Sequence, residues 1–130
     1  GSGRGERRRR RIAEKLHAYT IPRVRPNSRI KDLPALALLA TAQTIQAHQL
    51  RSAIDQTFGF RGTHAAPESL PEPPSAWREP YATIASNNGL RWSTLDEVFE
   101  ATRIFLAPIL SGRSNEVWTP SAWAWGPRVE

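Results

Sequence analysis

The sequence contains no cysteine in 130 residues. That excludes a disulfide framework and any thiolate metal site. No apolar run approaches the length of a membrane span. Nor does the basic N-terminus lead into an apolar segment of the size a signal peptide needs. A cytoplasmic location with no membrane partner is the expectation. No internal repeat is present, and the one stretch that reads as a strand is Glu116–Thr119. His17 and His64 each lack a second ligand at metal spacing, so no residue is a candidate metal ligand.

What is present points to a loop-rich helical domain. Proline occurs 11 times and 39% of residues are hydrophobic, enough for one domain with a modest core. The fold class expected is mainly α: a small bundle of about five helices with Pro-rich loops. Charge is uneven. Residues 1–31 hold eleven Lys or Arg against two Glu, a net of +9, while residues 32–130 hold seven against ten acids, a net of −3.

Residues 1–11, with five consecutive arginines from Arg7 to Arg11, read as a basic disordered arm. The run could bind phosphate backbones in a salt-dependent way, but the plainer reading, a stretch without a function of its own, is preferred. Residues 12–62 form a helical segment, with helices expected at about Arg9–Thr20, Leu33–Ala42 and Ala47–Phe58. Gly59 and Gly62 should close the third, and Phe60 should pack back on it. The second and third helices should be antiparallel neighbours. Residues 63–74 are a Pro-rich linker, and residues 75–130 a second helical segment with a Trp-rich tail. Ser75 and a Thr94–Glu97 capping box open its two helices, Gly89 ends the first, and Pro80 and Pro108 should delay or bend them. Trp118, Trp123 and Trp125 lack interleaved cations, so a packed flap is preferred over a base-stacking surface.

The polar residues concentrate between Glu14 and Ala40. Ile12, Leu16 and Tyr19 share one helix face, with Lys15 and Thr20 on its two margins and Glu14 and His17 pointing away. Pro22 should stop this helix near Thr20. A loop with Arg23, Arg25, Arg29 and Lys31 follows, with turn chemistry at Pro26-Asn27-Ser28, and Asp32 occupies a good N-cap position ahead of Leu33-Pro34. From the residues alone, Lys15 is a snorkelling surface lysine, Asp32 a cap and Thr20 a helix end.

Lys15-Leu16-His17-Ala18-Tyr19-Thr20, a Lys and a Thr separated by four residues, is followed by Asp32 heading the Leu-rich LPALALL. These two motifs, in this order and in similar surrounding text through LPEPPSAW, resemble the C-terminal half of the AbiEii/AbiGii-type nucleotidyltransferase toxins of bacterial abortive-infection toxin–antitoxin pairs. The position three after Asp32, where such sequences commonly carry a second Asp, is Ala35. The resemblance implies the helical C-terminal half of a nucleotidyltransferase-like fold. It implies that Lys15, supported by Thr20, binds the phosphates of a nucleoside triphosphate and that Asp32 is catalytic. It further implies NTP and Mg²⁺ as cofactors, transfer of nucleotides to an RNA acceptor such as tRNA, and a cognate antitoxin.

Two family motifs, a Gly-Ser turn and a pair of carboxylates flanking one residue, have no counterpart here beyond Gly1-Ser2. No cofactor site is evident in the chain itself. The expectation is a truncated or partial enzyme, inactive alone, whose N-terminal nucleotidyltransferase half lies elsewhere. The alternative is a non-catalytic basic helical module that binds nucleic acid through Arg23, Arg25, Arg29 and Lys31, or that binds protein.

Overall fold

The computed structural model describes residues 2–21, 29–113 and 115–127, the side chains of Ser2 and Arg4 excepted. Among these, five α-helices carry most of the chain: α1 (Ser2–Thr20), α2 (Asp32–Ala40), α3 (Ala47–Arg61), α4 (Arg78–Asn88) and α5 (Leu95–Leu110). A 3-10 turn, Ser75–Trp77, precedes α4. Three short strands, β1 (Ile45–Gln46), β2 (Glu116–Thr119) and β3 (Ala124–Pro127), pair antiparallel in the order β1-β2-β3. The class is mainly α.

Helix α1 ends at Thr20, as Pro22 predicts, but begins at Ser2. The stretch expected as a disordered arm is therefore helical. Its continuation is cooperative, since each added residue extends an existing hydrogen-bonded turn, and Arg8 is held by Gln43 Oε1 at 2.6 Å. Ile12, Ala13, Leu16 and Tyr19 are buried because α1 packs against both α2 and α3. The expected α2–α3 pairing is minor. β1 intervenes, pairing Ile45 with Trp118, and redirects the chain.

Other boundaries follow local chemistry. α3 runs through Gly59 and ends on Gly62, whose φ of 64° is the left-handed conformation glycine tolerates. Phe60 does not pack back; it is 86% exposed, since the buried stripe of α3 is Leu50, Ile54, Thr57 and Phe58. Pro80 falls in the first turn of α4, where its missing N–H has no intrahelical partner to lose. Thr94 caps α5 by accepting the Glu97 amide at 3.2 Å. Pro108 lies inside α5, which ends two residues later.

The Trp-bearing tail forms the expected flap. Trp118 is fully buried and donates its indole N–H to Ala40 O at 2.8 Å, satisfying a carbonyl at the end of α2. Trp123 and Trp125 donate to Ala101 O (3.0 Å) and Phe105 O (2.7 Å), one turn apart on α5. Trp123 adopts φ 50°, unfavourable for a side chain of this size. Its ring contacts with Trp118 (5.1 Å) and Trp92 (5.8 Å) hold it there.

Trp118→Ala should cost about 3–5 kcal/mol, the range for a large buried aromatic. Phe60→Ser should change stability by less than about 0.5 kcal/mol. Urea unfolding of the two variants beside the wild type checks both.

Candidate functional site

Lys15 leaves the margin of the α1 stripe where α1 meets the start of α2. There its Nζ lies 3.8 Å from Asp32 Oδ1. The lysine side chain is 43% exposed and the aspartate 6%. Asp32 is not the N-cap of α2. Lys31 occupies that position without a side-chain bond, and Asp32 is the first helical residue. Its amide bonds Arg29 O at 3.1 Å, closing the turn that leads into the helix. This places a buried carboxylate at a helix N-terminus, where the macrodipole favours it, facing an ammonium.

The pair lines an open cleft of about 510 Å³, with Glu14, His17, Ala18, Ile21, Arg29 and Arg61. Arg61 reaches across from the end of α3 and donates to Glu14 Oε1 through both Nε (3.1 Å) and Nη2 (2.9 Å). Arg29, expected to contact nucleic acid, is exposed and lines this cleft. Lys31, expected beside it, faces a different cleft with Pro34, Leu38, Ile84 and Arg91. Arg23, Arg25 and the Pro26-Asn27-Ser28 turn lie outside the described residues.

Thr20 turns to other partners. Its hydroxyl lies 2.9 Å from Leu16 O, the back-bond that serine and threonine make inside helices, and 2.8 Å from His64 Nε2. His17 does not point into solvent. It is 6% exposed, covered by Phe58 at 5.1 Å and His64 at 4.7 Å between ring centroids, and its Nε2 lies 2.7 Å from Thr63 Oγ1. The end of α3 and the loop after it pack over the face of α1 that the helical wheel alone leaves open. His17, Thr63, His64, Glu14 and Arg61 were not expected here. Sequence separations of 44 to 47 residues leave no local signal for such contacts.

The arrangement suits an anionic ligand. Three cations, Lys15, Arg29 and Arg61, border a concave surface with the buried Asp32 carboxylate among them, Arg61 already paired with Glu14. It does not suit a resident divalent metal. Glu14 and Asp32 bring the cleft's carboxylates and already face Arg61 and Lys15, and the described residues form no group of three His, Asp or Glu at ligand geometry. Mg²⁺ wants near-octahedral oxygen ligation, which two carboxylates already facing cations do not supply.

The family model for the nucleotidyl transferase AbiEii toxin, of type IV toxin–antitoxin systems, matches residues 7–101. The chain belongs to this family. No curated protein and no solved structure matches it. The match spans α1 to the middle of α5, so this AbiEii-family chain carries both Lys15 and Asp32 within the matched region. Family membership makes it nucleotidyltransferase-like and implies an antitoxin partner. Among the described residues no helix is long and apolar enough to cross a membrane.

Burial, then His64 and Arg61, lower the proton affinity of His17 below its ordinary 6.5, against a smaller opposing effect of Glu14. The unfolded chain takes up this proton near 6.5, the folded chain only at lower pH. The group's contribution to stability is therefore full above about pH 6.5 and declines as pH falls through that value. His17→Gln should flatten this part of the profile in urea titrations between about pH 7.5 and 5.5.

Proposed function

We propose that this chain supplies the C-terminal half of a nucleotidyl-transfer site. In it Lys15 and Arg29 hold the phosphates of a nucleoside triphosphate, and Asp32 orients and deprotonates the acceptor hydroxyl. The observation that supports this is the convergence of the two motif residues. They stand on different helices, and their charged groups meet 3.8 Å apart in one cleft.

The chemistry follows from the groups present. The acceptor oxygen attacks the α-phosphorus, the bond to the bridging oxygen breaks, pyrophosphate leaves, and the hydroxyl proton passes to the Asp32 carboxylate. Lys15 and Arg29 stabilise negative charge as it moves onto the leaving group. Mg²⁺, when bound with the nucleotide, would neutralise phosphate charge. The carboxylates to hold it come, in this reading, from polypeptide outside these 130 residues, because the sequence has no pair flanking a single residue. Thr20, expected to support Lys15, acts in this reading through the end of α1, which it ties to His64. The acceptor is an RNA such as tRNA, the compartment is the cytoplasm, and the chain alone is inactive.

Lys15→Ala removes a charge-assisted contact worth about 1.5–3 kcal/mol, so it should weaken binding of a fluorescent NTP by roughly 10- to 100-fold. Asp32→Asn should leave that binding within about threefold, because it removes no phosphate contact. Equal binding by wild type and Lys15→Ala would overturn the assignment.

A second reading, a surface for nucleic-acid backbones, has its own support: α1 exposes Arg7, Arg10 and Arg11. Replacing these three by Gln should lower RNA affinity and shallow the slope of log affinity against log salt by up to about two to three. Filter binding across a salt series checks this.

A further inference from the structure

His17, Thr63, His64 and Thr20 form one continuous chain of hydrogen bonds, with successive distances of 2.7, 3.1 and 2.8 Å. The Thr20 hydroxyl then continues to Leu16 O at 2.9 Å. A single arrangement of protons keeps that back-bond and gives every polar hydrogen in the chain an acceptor. Thr20 donates to Leu16 O and accepts from His64 Nε2–H. His64 Nδ1 then carries a lone pair and accepts from the Thr63 hydroxyl, and Thr63 accepts from His17 Nε2–H. The opposite arrangement would put a proton on His17 Nδ1, which has no hydrogen-bond partner among the described residues, in a side chain that is nearly buried.

Resting on the reading of the Lys15–Asp32 cleft given above, we propose that His17, Thr63 and His64 are a proton relay that carries a proton from that cleft to the protein surface. His17 lines the cleft and His64 is half-exposed. The steps balance. The proton that Asp32 takes from the acceptor hydroxyl leaves the carboxyl O–H through water in the cleft that both residues line, and forms an N–H bond at His17 Nδ1. The proton on His17 Nε2 passes to Thr63 Oγ1 as the Thr63 hydroxyl proton passes to His64 Nδ1. His17 is left neutral in the other tautomer, accepting from Thr63, and one imidazolium stands at His64. Both N–H groups of that imidazolium have acceptors, Thr63 and Thr20.

The surroundings favour this direction. Charge on His17 would be buried and would face Arg61 from α3, with Lys15 and Glu14 on its own helix and Arg29 and Asp32 across the cleft. Glu14 is held by Arg61, and Phe58 offers both rings only its aromatic face and edge, at 5.1 and 5.2 Å. Passing the charge to His64 moves it toward water. Asp32 remains the group that takes the proton from the hydroxyl; His17 relays it, and Thr63 and His64 act through His17.

Imidazole ¹⁵N spectra of the labelled chain, recorded from high to low pH, test this directly. His48, exposed on α3, is the internal reference. At high pH both His17 and His64 should be Nε2–H tautomers. On acidification the imidazolium should appear at His64 while His17 changes to the Nδ1–H tautomer over the same interval. Thr63→Ser should preserve this linked change, and Thr63→Val should abolish it without altering His48. His64→Gln, a second variant, should leave His17 as Nε2–H until it is itself protonated. A His17 that stays Nε2–H while His64 protonates, or a linked change that survives Thr63→Val, would overturn the relay. Absent NTP binding with an intact tautomer change overturns the cleft's function alone. Bound NTP with no tautomer change overturns the relay alone.

Discussion

The apolar stripe of α1 is the constraint on which the rest of this structure depends. Ile12, Ala13, Leu16 and Tyr19 must leave water, each large side chain contributing about 1.5–3 kcal/mol on full burial. A short chain has few surfaces to offer them. α2 supplies one and α3 the other. Both margins of the stripe therefore become interfaces. One meets the start of α2 and brings Lys15 to Asp32. The other meets the end of α3 and its following loop, and brings Glu14 to Arg61, His17 to Thr63 and Thr20 to His64. The tail secures the far end: Trp118 closes α2 through Ala40 and packs on Phe105 at 4.8 Å, so the direction of α2 is fixed at the end away from Asp32.

The same geometry separates what a sequence shows from what it hides. A helical wheel shows which face of α1 is buried first, and Ile12, Leu16 and Tyr19 are buried, with Ala13 beside them. The end of α1, the Thr94 cap and the left-handed glycines at 62 and 89 were legible because each is a rule about adjacent residues. The flap was legible from three tryptophans without cations. A wheel says nothing of a second neighbour packing over the polar side. A wheel leaves His17 in solvent for that reason, and it gives Phe60 a partner that α3 turns away from it. Asp32 looked like a cap because its spacing from Leu33-Pro34 fits one. Tertiary contact with Lys15 claimed its carboxylate, and the helix began one residue earlier. β1 and β3 are two and four residues long, and pairing across the chain, not any run of their own, makes them strands.

The linker shows the same dependence. Residues 63–74 read as a Pro-rich spacer, yet they are tied to α1 at three points. Thr63 and His64 bond its last two turns, and Tyr19 donates its hydroxyl to Pro71 O at 2.6 Å. Leu70 is buried beneath this run. The prolines keep the backbone extended and free of competing helical bonds, which leaves carbonyls such as that of Pro71 available to α1. The candidate cleft is lined by α1 itself, by the start of α2 with Arg29 before it, and by Arg61 at the end of α3; the linker braces α1 beside it.

The Lys15–Asp32 contact itself is informative about what such a cleft can do. At 3.8 Å it is longer than the 2.7–2.9 Å of a direct charge-assisted hydrogen bond, and the ammonium is nearly half exposed while the carboxylate is buried. Exposed ion pairs are worth only about 0–1 kcal/mol, so on its exposed side the contact holds Lys15 weakly against turning toward water. Asp32 depends on it more, since a buried carboxylate needs nearby positive charge. In the reading proposed above, an anion held by Lys15 would share that lysine with Asp32. The contact thus joins the proposed anion site to the buried carboxylate, with one partner exposed enough to move and the other held.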